Sequence, residues 1–421
     1  MIADSDSRWK WGATLAPRLA PDGDARVHAT LLWGRSTPNA QQLRDVGVQA
    51  STLHRASVGE TVARLADSTA QVVVLACMGG AVQALLQGLS RAWAGRSQRP
   101  VVVTGYVGLV YEHVIDGLLA RTGADILLAN SEHDLDLFRA ALRAVGVDPE
   151  SVVRTALPFL GGAPHDPTAA GRDRPFTLTF AAQPGVPQAK AERRYALAQA
   201  IEHAARHPQR HVVVKLRGRL GERTTHVEPF HYASLLPDAD LPDNLEIAYG
   251  PMAPILDRTD LCVTISSTAA VEAMHRSIPT GILVDFGVRE VLGNHVFLNS
   301  GALTSWRALH DGDVPVVDPQ WAGYHGVLDD DPYSAPAKRV AELVGEPLPP
   351  LQPWFTIADS AAYLPALMTR YGLDADGSPS ASSSAGGQAP LHSRLVRAAA
   401  RRAYGVGVRV LEPRIKRIAQ L

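Results

Sequence analysis

The sequence predicts an α/β protein of two Rossmann-like, doubly wound domains. Three observations predict it. Short β-rich runs alternate with helix-length segments almost throughout the chain. Those runs are continuously apolar, as strands are when a parallel sheet is covered on both faces. The alternation pauses once near the middle, and 421 residues suit two domains better than one.

In order, the strand runs of the first half are "VHATLLW", "VVVLACM", "PVVVTGY" and "DILLANS". Those of the second half are "FTLTFAA", "HVVVKLR", "LEIAYG", "LCVTISS" and "TGILVDF". Segments such as "SVGETVARLAD", "AVQALLQGLSRAWA" and "KAERRYALAQAIEHAARH" read as the helices between them. The first domain spans 1–160. A Gly/Pro/Ala-rich linker, 161–175, separates it from a second domain over 176–345. Helices over 346–376 are expected to pack back on the first domain. Residues 377–390, "GSPSASSSAGGQAP", read as a disordered tether, and 391–421 as a basic amphipathic tail.

Formal net charge is −1, so no global field recruits nucleic acid, and none is expected as a partner. The two cysteines, Cys77 and Cys262, each lie inside an apolar run and read as small buried hydrophobes in a reducing, intracellular setting. The N-terminus lacks a signal-peptide pattern, and no apolar run reaches the ~18–20 residues that span a bilayer. A cytoplasmic protein is expected. The tail carries eight Lys/Arg and one acid, Glu412, with apolar residues at helical spacing. That pattern points to docking on an anionic membrane, at the inner face of the plasma membrane; a helix packed on the body or a solvated tail is the alternative.

In open α/β sheets ligands bind beyond the carboxyl ends of the strands. Ser266, Ser267 and Thr268 follow the run "LCVTI" and open a helical pattern containing Glu272. One hydroxyl there is an ordinary helix cap; three in succession also fit a phosphate. Lys215, Arg217 and Arg219 follow another strand, interleaved with Gly218 and Gly221 and followed by Thr225 and His226. Cations beside glycines suit an anionic group, a solvated basic turn being the plainer reading. Gln183 follows the first strand of the same half.

In the first half "GYVGLVYEHVIDGL" offers Glu112 and His113 beside a glycine loop, as a base or as helix charge and packing. "ADSDS" offers Asp4 and Asp6 at the end of the first strand, with Lys10 a turn further on. Asp-x-Asp also occurs as the nucleophile pair of haloacid-dehalogenase-type phosphatases and as a metal pair in GT-A transferases. The phosphatase reading requires a full apolar strand beforehand, and only Met1 to Ala3 are available.

The hydroxyl cluster "ISSTAAVEA", preceded by a basic strand end, resembles the donor half of GT-B glycosyltransferases. It is most similar to inverting bacterial enzymes with Lys/Arg-x-His-Pro and Ser-Ser motifs, which use CMP-sugars or CDP-alditols; here "KLRG" occupies the basic-His-Pro position. "ADSDSRWKW", "GYVGLVYEHVIDGL" and "LLANSEHDLDLFR" resemble a group of uncharacterised actinobacterial glycosyltransferases over residues 1 to roughly 370. The resemblance implies two domains facing a cleft, a nucleotide-sugar donor (CMP-sugar first), and a glycan or lipid-linked acceptor of the cell envelope. It implies neither cofactor nor metal. The base is then Glu112, Asp6 or His113. Gln183, Lys215, Arg217, Gly218, Thr225, His226, Tyr249, Gly250, Ser266, Ser267, Thr268 and Glu272 serve the donor. Asp4, Ser7, Lys10, Tyr106 and Gly108 serve the acceptor. A non-hydrolysing nucleotide-sugar epimerase and a non-catalytic nucleotide-binding protein use the same architecture.

Overall fold

The computed structural model describes residues 1–20, 25–34, 36–47, 49–96, 98–110, 114–222, 228, 230–237, 240–356, 360 and 363–380. Glu112, His113, Thr225, His226 and the basic tail 391–421 lie outside the described residues.

The first sheet has seven strands: β1 (Ile2–Ala3), β2 (His28–Leu32), β3 (Thr52–Ala56), β4 (Val72–Ala76), β5 (Val101–Gly105), β6 (Ile126–Ala129) and β7 (Val152–Arg154). Their spatial order is β3-β2-β1-β4-β5-β6-β7, and every pairing is parallel. The second sheet holds β8 (Thr177–Ala181), β9 (His211–Lys215), β10 (Leu245–Ala248), β11 (Leu261–Thr264), β12 (Thr280–Leu283) and β13 (Leu303–Thr304), in the order β10-β9-β8-β11-β12-β13, again parallel. Strand order reverses at β1/β4 and at β8/β11. Those are the two places where such sheets open a ligand crevice at their carboxyl ends.

The helices are α1 (Asp6–Leu15), α2 (Ala40–Val46), α3 (Val58–Ala66), α4 (Gly79–Ala92), α5 (Val114–Leu119), α6 (Glu132–Ala144), α7 (Lys190–Arg206), α8 (Ala253–Leu256), α9 (Ala269–His275), α10 (Trp306–Asp311), α11 (Pro319–Tyr324), α12 (Ser334–Leu343) and α13 (Tyr363–Arg370). Local chemistry sets their ends. Ser57 and Glu60 form a reciprocal capping box at the start of α3. Val58 and Val62 of α3 then lie on one face, packed against the buried Val82, Leu85, Leu86 and Leu89 of α4. A Cβ at Gly88 would lie 2.7 Å from Val62, so the glycine permits that approach. Each fully buried leucine contributes roughly 1.5–3 kcal/mol.

The segment 161–175 is pinned to the second domain. Asp260, 2% exposed, accepts hydrogen bonds from the Thr177 amide (2.8 Å), His165 (3.0 Å) and Arg174. The chain returns to the first sheet with α12, whose Val340 joins the core around Leu31, Val103 and Ile126. Leu351, Leu364, Leu367 and Met368 then pack against α4, and Ser90 and Gln87 donate to the carbonyls of Leu351 and Phe355. Among the described residues no helix is long and apolar enough to cross a membrane.

Candidate functional site between the two sheets

Strand β1 is only two residues long, so α1 begins almost at the N-terminus and projects towards the second domain. Ser5 caps it. Asp4 accepts from the Met78 amide (2.8 Å) and pairs with Arg8 (3.3 Å), which commits it within the first domain. Asp6 is the first helical residue rather than a strand end, because Ser5 already starts the turn. This orientation carries Asp6, Ser7 and Lys10 across the crevice. Arg217 donates to both Asp6 oxygens (3.0 and 3.1 Å) and to Ser7 Oγ (2.6 Å). Lys10 Nζ lies 3.4 Å from Glu272 Oε2 and 4.5 Å from the centre of the Phe159 ring.

On the second domain, Gln183 follows β8 and grips the loop after β11. Its Oε1 accepts from the Ser266 amide (2.9 Å), and its Nε2 donates to Ser266 Oγ (3.2 Å). Ser266 Oγ in turn donates to the Leu292 carbonyl (2.5 Å) and is buried. Its proton is therefore spent inside the protein, a difference from the expectation that all three hydroxyls face an anion. Ser267 Oγ accepts from the Ala269 amide (3.2 Å), whereas the Thr268 side chain makes no capping bond to α9. A Cβ at Gly108 would lie 3.1 Å from Thr268 Cγ2, so this loop of the first domain comes into close contact with the start of α9.

Charge is concentrated beneath these groups. Lys215 is buried, donates to the Leu216 carbonyl (2.7 Å), and has its pKa pushed down to about 8, by burial first and then by Arg217; Glu272 pulls the other way. Burial raises the Glu272 carboxyl above its ordinary range, with Lys10, Arg276 and Lys215 opposing. The crevice thus holds Lys10, Lys215 and Arg217 against Asp6 and Glu272.

Other expected residues sit elsewhere. Tyr249 and Gly250 follow the edge strand β10, where the Arg219 guanidinium lies 4.5 Å from the Tyr249 ring. The Gly218 carbonyl is held by His231 Nε2 at 2.9 Å. Tyr106 packs on Phe138 and beneath Arg121, and its hydroxyl donates to the Val114 carbonyl (3.4 Å). Among the described residues no three His, Cys, Asp or Glu side chains gather as a metal ion requires.

Asn130 and His133, which the sequence reading does not include, line a crevice between the domains that Gly108 and Val271 of α9 also border. The run "DILLANSEHD" places both just beyond a strand, so the strand-end rule applied to β6 reaches them; Ser131, which caps α6, masked that signal. His133 Nδ1 lies 3.5 Å from Asp134 Oδ1, and its ring stacks on His325 of the second domain, centroids 4.7 Å apart.

Residues 1–343 match the family described as "Putative glycosyltransferase (DUF6716)". The chain belongs to that family. Among solved structures it is similar to the UDP-GlcNAc 2-epimerase from Neisseria meningitidis bound to UDP-GlcNAc, with 12% identity, TM-score 0.50, and coverage of 81% of this chain and 97% of that one. It is also similar to the glycosyltransferase SnogD from Streptomyces nogalater, with 16% identity, TM-score 0.38, and coverage of 87% and 98%. Among curated proteins none matches. For this member of the DUF6716 family the fold is of GT-B type: two Rossmann-like domains whose strand ends face one crevice.

Proposed function

We propose that the chain moves a sugar from a nucleotide-activated donor, held by the second domain, to a hydroxyl of an acceptor held against the first. One observation carries this reading: Lys10, Lys215 and Arg217 gather with Asp6 and with Glu272 of α9, the helix that Ser267 and Thr268 open, where the ends of the two sheets face each other. Departure of a nucleotide puts negative charge on its phosphate, and preorganised cations and hydroxyls there stabilise that charge. As the acceptor oxygen bonds to the anomeric carbon, the bond from that carbon to the phosphate oxygen breaks. The nucleotide leaves with the electron pair, and the acceptor proton passes to a base, with inversion.

Asp6 fits that role in a specific way. Arg217 engages it at 3.0 Å, and a phosphate that draws Arg217 away would free its carboxylate. Glu112 and His113 remain the other proposed bases. CMP-sugar is the first donor to test, and an envelope or lipid-linked glycan the acceptor class that the resemblance implies. Docking of residues 391–421 on anionic membrane is a separate proposal, tested by liposome co-sedimentation with and without that segment. An epimerase needs no second substrate. The interdomain crevice, which widens to about 530 Å³ beyond α9, offers room for one and favours transfer.

The test is a melting-temperature panel of CMP, CDP, UDP, GDP and their sugars on the native chain and Arg217→Ala. A nucleotide that binds only the folded state raises the melting temperature. One nucleotide is expected to do so, with the rise lost in Arg217→Ala. A panel without effect, or an equal rise in the variant, would end the reading. Incubation with donor alone separates the two chemistries, since an epimerised product identifies the epimerase.

A further inference from the structure

From the start of α9 a crevice runs outward between the domains. Its inner part, about 30 Å³, is bounded by Gly108, Asn130, Leu157 and Val271. Through Val110, His133, Val296 and His325 it continues into a cavity of about 530 Å³. That volume lies within the ~300–1,000 Å³ typical of small-molecule sites.

The walls of the outer cavity are mostly apolar or ringed. Val110, Val114, Leu137, Leu298, Trp321 and Tyr324 line it, with His295 and Asn299 adding polar groups at its edge beside His133 and His325. Leu298 is 48% exposed and Tyr324 42%, so apolar surface is left open in a concave place where water gains little. Trp321 stacks on His325 at 4.0 Å, and His325 on His133 at 4.7 Å, making a tier of rings that crosses the domain boundary. The inner end supplies one unmet polar demand. Asn130 is 5% exposed; its Nδ2 donates to the Tyr106 carbonyl (2.8 Å), while its Oδ1 has no hydrogen-bond partner. A buried amide oxygen without a donor is costly, and a ligand hydroxyl in the crevice would satisfy it.

We infer that this crevice is the acceptor site, and that the acceptor bears its hydroxyl on an apolar, ring-containing body rather than on free polysaccharide. The body fills the outer cavity between Val110, Val114 and Leu137 of the first domain and Leu298, Tyr324 and the ring tier facing them. A hydroxyl reaches inward past Val110, donates to Asn130 Oδ1, and is thereby directed towards the sugar held at α9. What the ligand does there rests on the transferase reading; whether it binds does not.

The probe is 4-methylumbelliferone, a bicyclic phenol whose fluorescence reports binding, titrated into the full chain without donor. The native protein should bind it saturably. Leu298→Asp should weaken binding roughly ten-fold or more, because a carboxylate in an apolar cavity must stay hydrated. It should leave the melting temperature in place, the side chain being half exposed. Asn130→Leu should also weaken binding, and Leu53→Asp, an exposed leucine on the far edge strand β3, should not. Absence of saturable binding, equal affinity in Leu298→Asp, or displacement of the phenol by a plain oligosaccharide such as maltotriose would overturn the inference. The nucleotide panel is read independently. Nucleotide binding without phenol binding removes this inference alone; phenol binding without nucleotide binding removes the transferase reading, and with it the acceptor role, while the binding site itself stands.

Discussion

Lys10 and Glu272, 262 positions apart in sequence, form an ion pair of 3.4 Å that ties the first helix of one domain to α9 of the other. The Glu272 side chain is 9% exposed and that of Lys10 35%. Burial raises the Glu272 carboxyl above its ordinary 4.5, and Lys10 restrains the rise. An acid with a raised folded pKa contributes stability that is full below about 4.5 and is lost as pH rises through the folded value. Lys10→Met removes the restraint. Its melting temperature should be near native at pH 4.5 and fall behind towards pH 7.5. The loss should reach about 1–3 kcal/mol, under the ~3–5 of a fully buried pair because Lys10 keeps part of its side chain in water. Adding Glu272→Gln should restore most of it. A gap that ignores pH would show that the pair acts through packing alone.

The hydroxyl cluster divides by role. Ser266 is bonded to Gln183 and Leu292, so Ser266→Ala should cost about 1 kcal/mol of folding stability and leave nucleotide affinity nearly unchanged. Ser267 and Thr268 are half-buried at the start of α9. Ser267→Ala with Thr268→Val should do the reverse, weakening the nucleotide by about 1–3 kcal/mol with little change in unfolding. Calorimetric titration beside denaturant unfolding separates the two, and interchangeable phenotypes would refute the division.

How much of this was legible follows from burial. Strands β4, β8, β9 and β11 are covered on both faces and read as unbroken apolar runs. Strand β3, "TLHRA", is an edge strand exposed at four of its five positions, and nothing in its pattern marks it. β7 and β13 are three and two residues long, too short to show a period. Within the site, Asp6 and Arg217 stand out as charged residues at element ends, with Lys10 and Glu272 about one turn inside a helix. Their pairing does not, since Arg217 and Asp6 meet across 211 positions and only the facing of two sheets brings them together. The commitment of Ser266 depends on the Leu292 carbonyl, on a distant turn. Asn130 and the ring tier belong to a crevice that neither domain forms alone.

Lys215 makes donor binding depend on pH. Its pKa is pushed down to about 8, so it begins to lose its charge just above neutrality. A phosphate bound beside it favours the charged form and moves the transition upward. Nucleotide affinity in the native chain should therefore be flat from pH 6.5 to about 8 and fall above it. In Lys215→Met the affinity should be lower throughout and lack that fall. Parallel titrations from pH 6.5 to 9.5 test this, and an identical decline in the variant would assign the dependence to another group.

In the second domain a buried histidine chain should make stability decline in acid. His203 is fully buried, its Nδ1 3.1 Å from His310 Nδ1, its Nε2 3.3 Å from Arg210 Nη1, while His310 Nε2 lies 3.1 Å from Gln199 Oε1. Arg210 can only donate, so His203 Nε2 accepts and its Nδ1 carries the hydrogen, given to His310 Nδ1; His310 Nε2–H then meets Gln199. Every proton in the chain is assigned with both rings neutral, and an added one would force two donors to face each other. Burial first, then the neighbouring His207, Arg210 and His310, push the His203 pKa down to about 3, and burial lowers that of His310. The folded state therefore refuses a proton that the unfolded chain takes up near 6.5. The contribution is intact above about 6.5 and is lost progressively as pH falls from there towards about 3. For one such proton the slope approaches about 1.4 kcal/mol per pH unit. Denaturant unfolding at pH 7.5, 6.0 and 5.0 should show that decline. In His203→Gln, which cannot be protonated, the protein should be less stable at pH 7.5 and its slope below pH 6.5 shallower. An unchanged slope would place the acid sensitivity elsewhere.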